Sequence, residues 1–463
     1  MGLTVCDLKK VKDVKVLNEF LLRDSFKNAV IDSRICSSGD LFFAIKGERF
    51  NGHDFVEQAF KKGAVCAVVN RGWYKSLDES KRRSFNKYSF ALVNDTLKAL
   101  GWMANIHRRK FLIPVIAVGG SNGKTSAKDY IAHVLSQRYK VLKTEGNYNN
   151  AYGVPLTLFR LKKEHEIAVI ETGTNHFGEV KYLCGIAEPQ IGLITNIGKE
   201  HLEFLNDING AAKAECELAD YINDNFGMFF LNKDDKLLMK QMLKYEINIF
   251  SYGTKGKTDV KGRLIKFNGF NPLIEVKYRK NKIETALKGI GRQSFNAALS
   301  AAAVGFWFEV PAGLIKKAIA EYEIESVRRN QLKNLNGVWL IDDSYNSNPD
   351  SINAALENMK AYNVKGKKYL VLADMLELGK SSKKEHLEIG KLIKKMKFEN
   401  LYTYGKESVH THNGAKGIMN NFHFENKQVL AEMLKINLKK GDLILIKGSR
   451  SMKMEEVIEK LIN

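Results

Sequence analysis

"AVGGSNGKTSAKD", residues 117–129, decides how the rest of the chain is read. An apolar run at 113–116 predicts a buried strand before it, and "YIAHVL" at 130–135 predicts a helix after it. Strand, glycine turn, Gly-Lys-Thr and helix together form a seat for nucleotide phosphates. Backbone N–H groups and the helix N-terminus point at one spot, Lys124 adds a positive charge, and the Thr125 hydroxyl suits Mg²⁺. The strict P-loop pattern asks for a glycine five residues before Gly123, and Val118 stands there; the nearest upstream glycines are Gly119 and Gly120. The loop, Gly120-Ser121-Asn122-Gly123-Lys124-Thr125, is therefore a shortened form.

Around this seat strand-like and helix-like segments alternate from end to end, which predicts an α/β protein with largely parallel sheets. With 463 residues the chain has room for several cores, and three units are expected: 1–110, 111–326 and 327–463. The first carries "NAVIDSR", "DLFFAIKG" and "GAVCAVV" as strands; the third restarts at "VRRNQLKNLNGVWLIDDSYN" and continues through "KYLVLAD" and "DLILIKGSR". The longest apolar stretch, 297–308, is too short to span a bilayer and reads as a buried helix. A hydrophobic share of 44% and a charged share of 27% fit a soluble globular protein. Five cysteines without a C-x-x-C pair argue for a reducing cytoplasm and against disulfide or zinc frameworks. No secretory signal layout opens the chain. The net charge of +21 comes from lysine pairs spread along the whole length, without an aromatic-interleaved patch, which favours a solvated surface that draws in anionic substrates over a nucleic-acid footprint.

Two further apolar strands end in functional residues. "IAVIETGTN" places Glu171 at the carboxyl edge of its strand, where open α/β sheets bind ligands and a carboxylate reaches a nucleotide's metal. "LITNIGKEHLE" places Asn196 and His201 beyond a similar edge. "TEGNYNNAYGVP", 144–155, is a polar loop that reads either as turn chemistry or as a wall of the phosphate site. "GAAKAECELAD" puts Lys213, Glu215 and Glu217 on a helix. A GTPase reading also finds its matches, Asp207 and Gly210 as D-x-x-G and Asn232 to Asp235 as N-K-x-D. Its context fails, because Asp207 follows no buried strand and too few residues separate the two motifs.

Taken in order, G-x-x-G-K-T, "GNYNNAYGVP", "ETGTNHFGEV", "ITNIGKEHLE", "NAALSAAAVG", "DDSYNSNPDS", "ADMLELG" and "KGSRSMKME" resemble the Mur ligases, and the shortened loop is that family's own form. "DSR", "GDLFFAIKGERFNGHDF" and "GA" in the first unit resemble the family's uridine-nucleotide domain, so the resemblance covers essentially the whole chain. It implies three α/β domains: a UDP-binding one, a central P-loop ATPase-like one and a Rossmann-like C-terminal one. The implied activity is cytoplasmic, monomeric, ATP- and Mg²⁺-dependent amide formation in peptidoglycan precursor synthesis, joining D-alanyl-D-alanine to UDP-MurNAc-tripeptide through an acyl phosphate, without nucleic acid or membrane insertion. A folylpolyglutamate synthetase-like ligase and, in another class, a P-loop GTPase or nucleic-acid-binding ATPase are the alternatives.

The resemblance also assigns residues. Lys124 would sit on the β/γ-phosphates, Thr125 and Glu171 on one Mg²⁺, and Glu171 and His201 on a second. Asn296 would contact adenine, while Arg328, Asp343 and Tyr345 close over ribose and phosphates as the third domain swings in. Ser33, Arg34, Lys46 and Gly47 would face the uridine diphosphate, with Asn149 and Asn150 near the central cleft. The family's carbamylated lysine, an anionic metal ligand, falls fourteen positions after the histidine; here that position is Glu215, with Lys213 two residues earlier on another helix face. Glu215 is expected to supply the same negative charge directly, without CO₂; the alternatives are a carbamylated Lys213 and a Glu215 that is only a solvated surface charge.

Overall fold

A computed structural model describes residues 2–323 and 330–462. The expected boundary at 326/327 and Arg328 lie outside the described residues.

Apolar runs flanked by caps build the first unit. Its five-stranded sheet runs Lys15–Leu17, Ser89–Val93, Cys66–Asn70, Leu41–Phe43, Ala29–Val30, antiparallel at the first pair and parallel thereafter. Leu41 to Phe43 and Ser89 to Val93 are buried throughout, as parallel strands covered on both faces require. Asp95 caps the helix Thr96–Arg108 by accepting from the N–H groups of Leu97 and Lys98. That helix fastens the first unit to the second. The guanidinium of Arg108 is buried and donates to the carbonyls of Ala187 (3.0 Å), Phe111 (2.7 Å) and Ile113 (3.3 Å). A Cβ on Gly101 would lie 2.5 Å from the Tyr182 hydroxyl, so the two units touch there without a gap. Ala104 and Phe111 share one apolar cluster with Val115, Leu158 and Leu183.

The central sheet has nine strands in the order Asn281–Ala286, Asn271–Tyr278, Val260–Asn268, Asn248–Gly253, Met228–Asn232, Ile191–Ile194, Val115–Gly119, Ile167–Glu171, Val141–Lys143. Pairing is parallel from Val141–Lys143 through to Val260–Asn268, as the alternation of strand and helix predicts. The last two pairings are antiparallel, an extension the sequence reading did not separate from the α/β pattern. These strands bury one face and leave the other to charges; Glu275 is surrounded by Arg263, Lys277 and Lys282. The stretch read as a buried helix is Gly291–Trp307, packed on the P-loop helix Lys124–Leu135. Its alanines, glycine and serine allow close approach: a Cβ on Gly305 would meet Val134 at 2.6 Å.

The third unit is a six-stranded sheet, Gln331–Leu335, Val338–Asp343, Leu443–Lys447, Lys368–Ala373, Asn400–Tyr404, Asn420–Phe424, parallel except for its first pair. The helix Pro349–Ala361 starts with a capping box between Asn348 and Ser351 and a proline in its first turn. Leu202, Phe270 and Ile290 of the central unit belong to its core cluster, so the third unit is docked on the second. All five cysteines are free, four of them buried. Among the described residues no helix is long and apolar enough to cross a membrane.

Candidate active site

Register brings the site together. Val115–Gly119 lies between the strands of Glu171 and Thr195, with Glu171 opposite Val118 and Ile194 opposite Gly119, so three carboxyl edges open on the same loop. Val118 is still strand, and the turn begins after Gly119, which is why the glycine of the strict pattern is displaced. Gly120 has φ +116°, and a Cβ there would lie 2.2 Å from the Thr195 hydroxyl. The loop is then pinned from below. Ser121 N–H donates to the Asn196 carbonyl (2.9 Å), Asn122 N–H to Asn196 Oδ1 (3.2 Å), and Gly198 N–H to Ser121 Oγ (2.7 Å). Gly123, at φ +82°, opens the helix with no side-chain cap, leaving the N–H groups of its first turn for an anion.

Over this turn sits a buried charge cluster. Lys124 Nζ donates to the Gly120 carbonyl and lies 3.5 Å from Glu200 Oε2 and 3.7 Å from Glu215 Oε1. Burial pulls its pKa down, but the carboxylates of Glu200, Glu215 and Glu171 together hold it above the usual lysine value. Glu171 Oε1 accepts from the Thr125 hydroxyl (3.0 Å) and from Asn149 Nδ2 (2.8 Å). Its Oε2 is 4.0 Å from Lys128, a completely buried lysine that also donates to the carbonyls of Thr144 (2.7 Å) and Gly146 (3.1 Å) and pairs with Asp129 at 3.0 Å. Glu215 Oε2 accepts from Gly120 N–H at 2.6 Å. Burial pushes the Glu215 carboxyl up to about 8; Lys124 opposes this, and the neighbouring Glu200 adds to it. Three acids crowd Lys124, and positive charge added at this point draws the Glu215 carboxyl back down.

Those acids suit a divalent cation. Glu171 Oε2, Glu200 Oε1 and Glu215 Oε1 are buried oxygens without a hydrogen-bond partner, a cost that a hard cation removes. Among the described residues no three His, Cys, Asp or Glu side chains are already gathered as a metal cage.

His201 turns the chain at φ +48° and opens the short helix Leu202–Leu205. Its Nδ1 is 2.5 Å from Glu377 Oε2 of the third unit, and its Nε2 is 3.9 Å from Glu200. More of the third unit reaches the loop. Asn348 Nδ2 donates to Asn122 Oδ1 (3.0 Å), Asp350 accepts from Lys199 N–H (2.6 Å), and Glu385 holds Lys199 Nζ (2.8 Å). Asp343, at its strand's carboxyl end, takes the Lys447 ammonium (2.7 Å), and Tyr345 lies half-buried two residues on. Asn296 is exposed near the start of its helix, where Gln293 accepts from Asn358 Nδ2 of the third unit at 2.6 Å.

The structure thus gathers Gly120 to Thr125, Glu171, Glu215 and Asn149 around one loop, with His201 tied to them through Glu200. Asn149 serves the Glu171 carboxylate, while Asn150 spends its Oδ1 on the N–H groups of Tyr152 and Gly153. Ser33, Arg34, Lys46 and Gly47 form a separate group on the first unit: Ser33 Oγ donates to Gln58 (2.8 Å), Arg34 pairs with Asp32 (2.7 Å), and Lys46 and Gly47 sit exposed where Lys46 bridges to Asn51. Lys213 is exposed, its ammonium 5.5 Å from the Phe177 ring centre. Sequence reasoning missed Glu200, Lys128 and Glu377. Glu200 was legible only as the neighbour of His201, and a lysine four residues after Lys124 on the same helix face was the one sign of Lys128.

Three family models match in order along the chain: the Mur ligase family catalytic domain at residues 26–108, the Mur ligase middle domain at 118–305, and the Mur ligase glutamate ligase domain at 328–450. The UDP-N-acetylmuramoyl-tripeptide–D-alanyl-D-alanine ligase of Bacillus subtilis is 35% identical over 93% of this chain and 92% of its own length. The Escherichia coli ligase of the same name is 32% identical over the same shares. Among solved structures, MurF from Acinetobacter baumannii superposes with a TM-score of 0.89 at 27% identity, covering 100% of this chain and 99% of its own. MurF ligase from Thermotoga maritima in complex with ADP gives 0.83 at 26%, covering 96% and 98%. A phosphate loop of the shortened form, the acids around it and likeness along nearly the full length converge: the chain belongs to the Mur ligase family.

Proposed function

We propose that this chain is the ATP-dependent amide ligase that joins D-alanyl-D-alanine to UDP-MurNAc-tripeptide in peptidoglycan precursor synthesis, acting as a monomer in the cytoplasm. One observation carries the chemistry: Lys124 lies within 4 Å of two buried carboxylates, in a loop whose helix N-terminus is uncapped and which the third unit touches through Asn348. Relatives 32–35% identical over nine-tenths of their length carry the substrate assignment. The three units, 1–110, 111–326 and 327–463, divide the work between UDP-substrate, nucleotide and incoming amine.

A carboxylate is a poor electrophile and must be activated. Its oxygen attacks the γ-phosphorus of ATP, the bond to ADP breaks, and an acyl phosphate results. The amine of the dipeptide then attacks the acyl carbon, phosphate leaves, and the amine gives up a proton. Both steps gather negative charge beside phosphates, so fixed cations and dipoles do most of the work. Lys124 and the N–H groups of the first turn hold the β- and γ-phosphates. Asn149 and Thr125 orient Glu171. Thr125, Glu171, His201 and Glu215 are the groups that would hold Mg²⁺, which supplies charge neutralisation when bound. Asn296 takes the adenine and Asp343, Tyr345 and Arg328 the ribose and phosphates, while Ser33, Arg34, Lys46 and Gly47 take the uridine diphosphate.

Phosphate release tests the reading. It is expected only when UDP-MurNAc-tripeptide and D-alanyl-D-alanine are both present with ATP, with no response to RNA or DNA. Release with a folate and glutamate instead would overturn it. Running both the diaminopimelate and the lysine tripeptide in that assay fixes the third residue.

A further inference from the structure

In the "NKDD" stretch that matches a guanine reader, Asn232 and Asp235 spend their side chains on the chain's own backbone. Asn232 ends the strand Met228–Asn232 and donates from Nδ2 to the Thr195 carbonyl at 2.7 Å. Asp235 divides its two oxygens: Oδ1 accepts from Leu238 N–H (2.8 Å) as the cap of the helix Lys236–Met242, and Oδ2 accepts from Ile197 N–H at 2.7 Å. Asp234 braces the next strand end instead, accepting from Thr254 N–H at 2.7 Å.

What Asp235 and Asn232 hold is the segment 195–201. On either side of Ile197 stand Asn196, bonded to the Ser121 and Asn122 backbone, and Gly198, bonded to Ser121 Oγ. Within the next four residues come Lys199 on Asp350 and Glu385, Glu200 on Lys124, and His201 on Glu377. This segment has no ladder or helix of its own from Thr195 to His201, so its shape depends on such side-chain anchors. We propose that Asp235, assisted by Asn232, is a positioning residue for the nucleotide: it fixes the segment that holds the phosphate loop from below and the third unit from above. The inference rests on the ligase reading only in taking ATP as the nucleotide.

Substitutions can separate the two jobs of Asp235. Serine caps a helix about as well as aspartate but has a single, shorter-reaching oxygen, so Asp235→Ser keeps the cap and drops Ile197. Calorimetric titration with ADP and Mg²⁺ needs no turnover. Asp235→Ser is expected to weaken ADP about tenfold and to lower kcat about tenfold, with KM for the UDP-substrate within about twofold and Tm within about 3 °C of the parent protein. Asn232→Ala shifts ADP affinity the same way by a smaller factor. Leu238→Ala, which loosens the same helix from within its core, serves as the comparison: it lowers Tm and leaves ADP affinity within about twofold. The proposal is overturned if Asp235→Ser binds ADP like the parent protein, or if Leu238→Ala loses as much ADP affinity as Asp235→Ser. Absence of amide formation by the parent protein would instead sink the ligase reading, and the ADP titration would still decide the role of Asp235.

Discussion

Lys124 is the residue whose removal the site cannot absorb: its ammonium answers buried carboxylates and, in the reading above, the transferring phosphoryl group. Lys124→Ala is expected to lower turnover by more than about a hundredfold, or ~2.7 kcal/mol of barrier, in a coupled ADP-release assay. Glu215 gives a prediction of a different kind. Its carboxyl is pushed from 4.5 up to about 8 by burial, so the folded protein keeps a proton that the unfolded chain releases. Stability from this group is therefore complete below about pH 4.5 and falls as pH rises toward 8. In nucleotide-free protein Glu215→Gln should flatten that fall and raise Tm near pH 8 by about 2–4 °C, the response of a domain this size to ~1 kcal/mol. The same variant should lose activity, whereas Lys213→Ala, lying over the Phe177 ring, should stay within about twofold of the parent enzyme, in CO₂-stripped buffer as well. Lys124, Thr125 and Glu171 were legible because a glycine turn and a strand edge announce them. Glu200 was not: in "GKEHLE" a glutamate beside a lysine reads as solvated, and only the fold, by curling the chain through His201, buries it against Lys124.

The phosphate loop and its helix act as one element. Gly120 is required twice over, by φ +116° and by the 2.2 Å approach a Cβ would make to Thr195, so Gly120→Ala is expected to cost about 2–4 kcal/mol in denaturant unfolding and to abolish ADP binding. One turn beyond Lys124 the same helix carries Lys128, fully buried between Asp129, two carbonyls and Glu171. Lys128→Ala takes this donor from the Thr144 and Gly146 carbonyls and the nearby positive charge from Glu171, while Asp129 keeps Lys143 at 2.9 Å, and a loss of about 3 kcal/mol, the lower end of what removing one member of a buried pair costs, is expected by the same measurement. Helices and parallel strands were readable from apolar runs because burial on both faces leaves few polar positions. The strands from Val260 to Ala286 were not, since one face is charged and their pairing is set by the turns between them. "NKDD" shows the limit of a short motif: the letters of a nucleotide reader are present, and the direction in which the side chains point is a property of the fold.

Across the whole molecule, the third unit meets the second through an apolar contact at Leu202, Phe270 and Ile290 and, beside the site, through polar bridges, His201 to Glu377, Lys199 to Asp350 and Glu385, and Asn122 to Asn348. Such bridges open and close at small cost in water. Small-angle scattering should show a smaller radius of gyration with nucleotide and UDP-substrate than without, and Glu377→Ala combined with Glu385→Ala should weaken that compaction; equal radii at saturation would count against a moving third unit. Three α/β units were visible in the sequence as three restarts of strand and helix, but how firmly the first two are joined was not, because it depends on an apolar cluster they share and on an arginine that composition counts as one more surface charge. Arg108, sunk among the carbonyls of Ala187, Phe111 and Ile113, makes the first two units one body for any process that must pull them apart. Scanning calorimetry should then record two heat-absorption peaks for a chain of three folds, the first two units melting together. Arg108→Ala, which frees those carbonyls, should divide that joint peak in two.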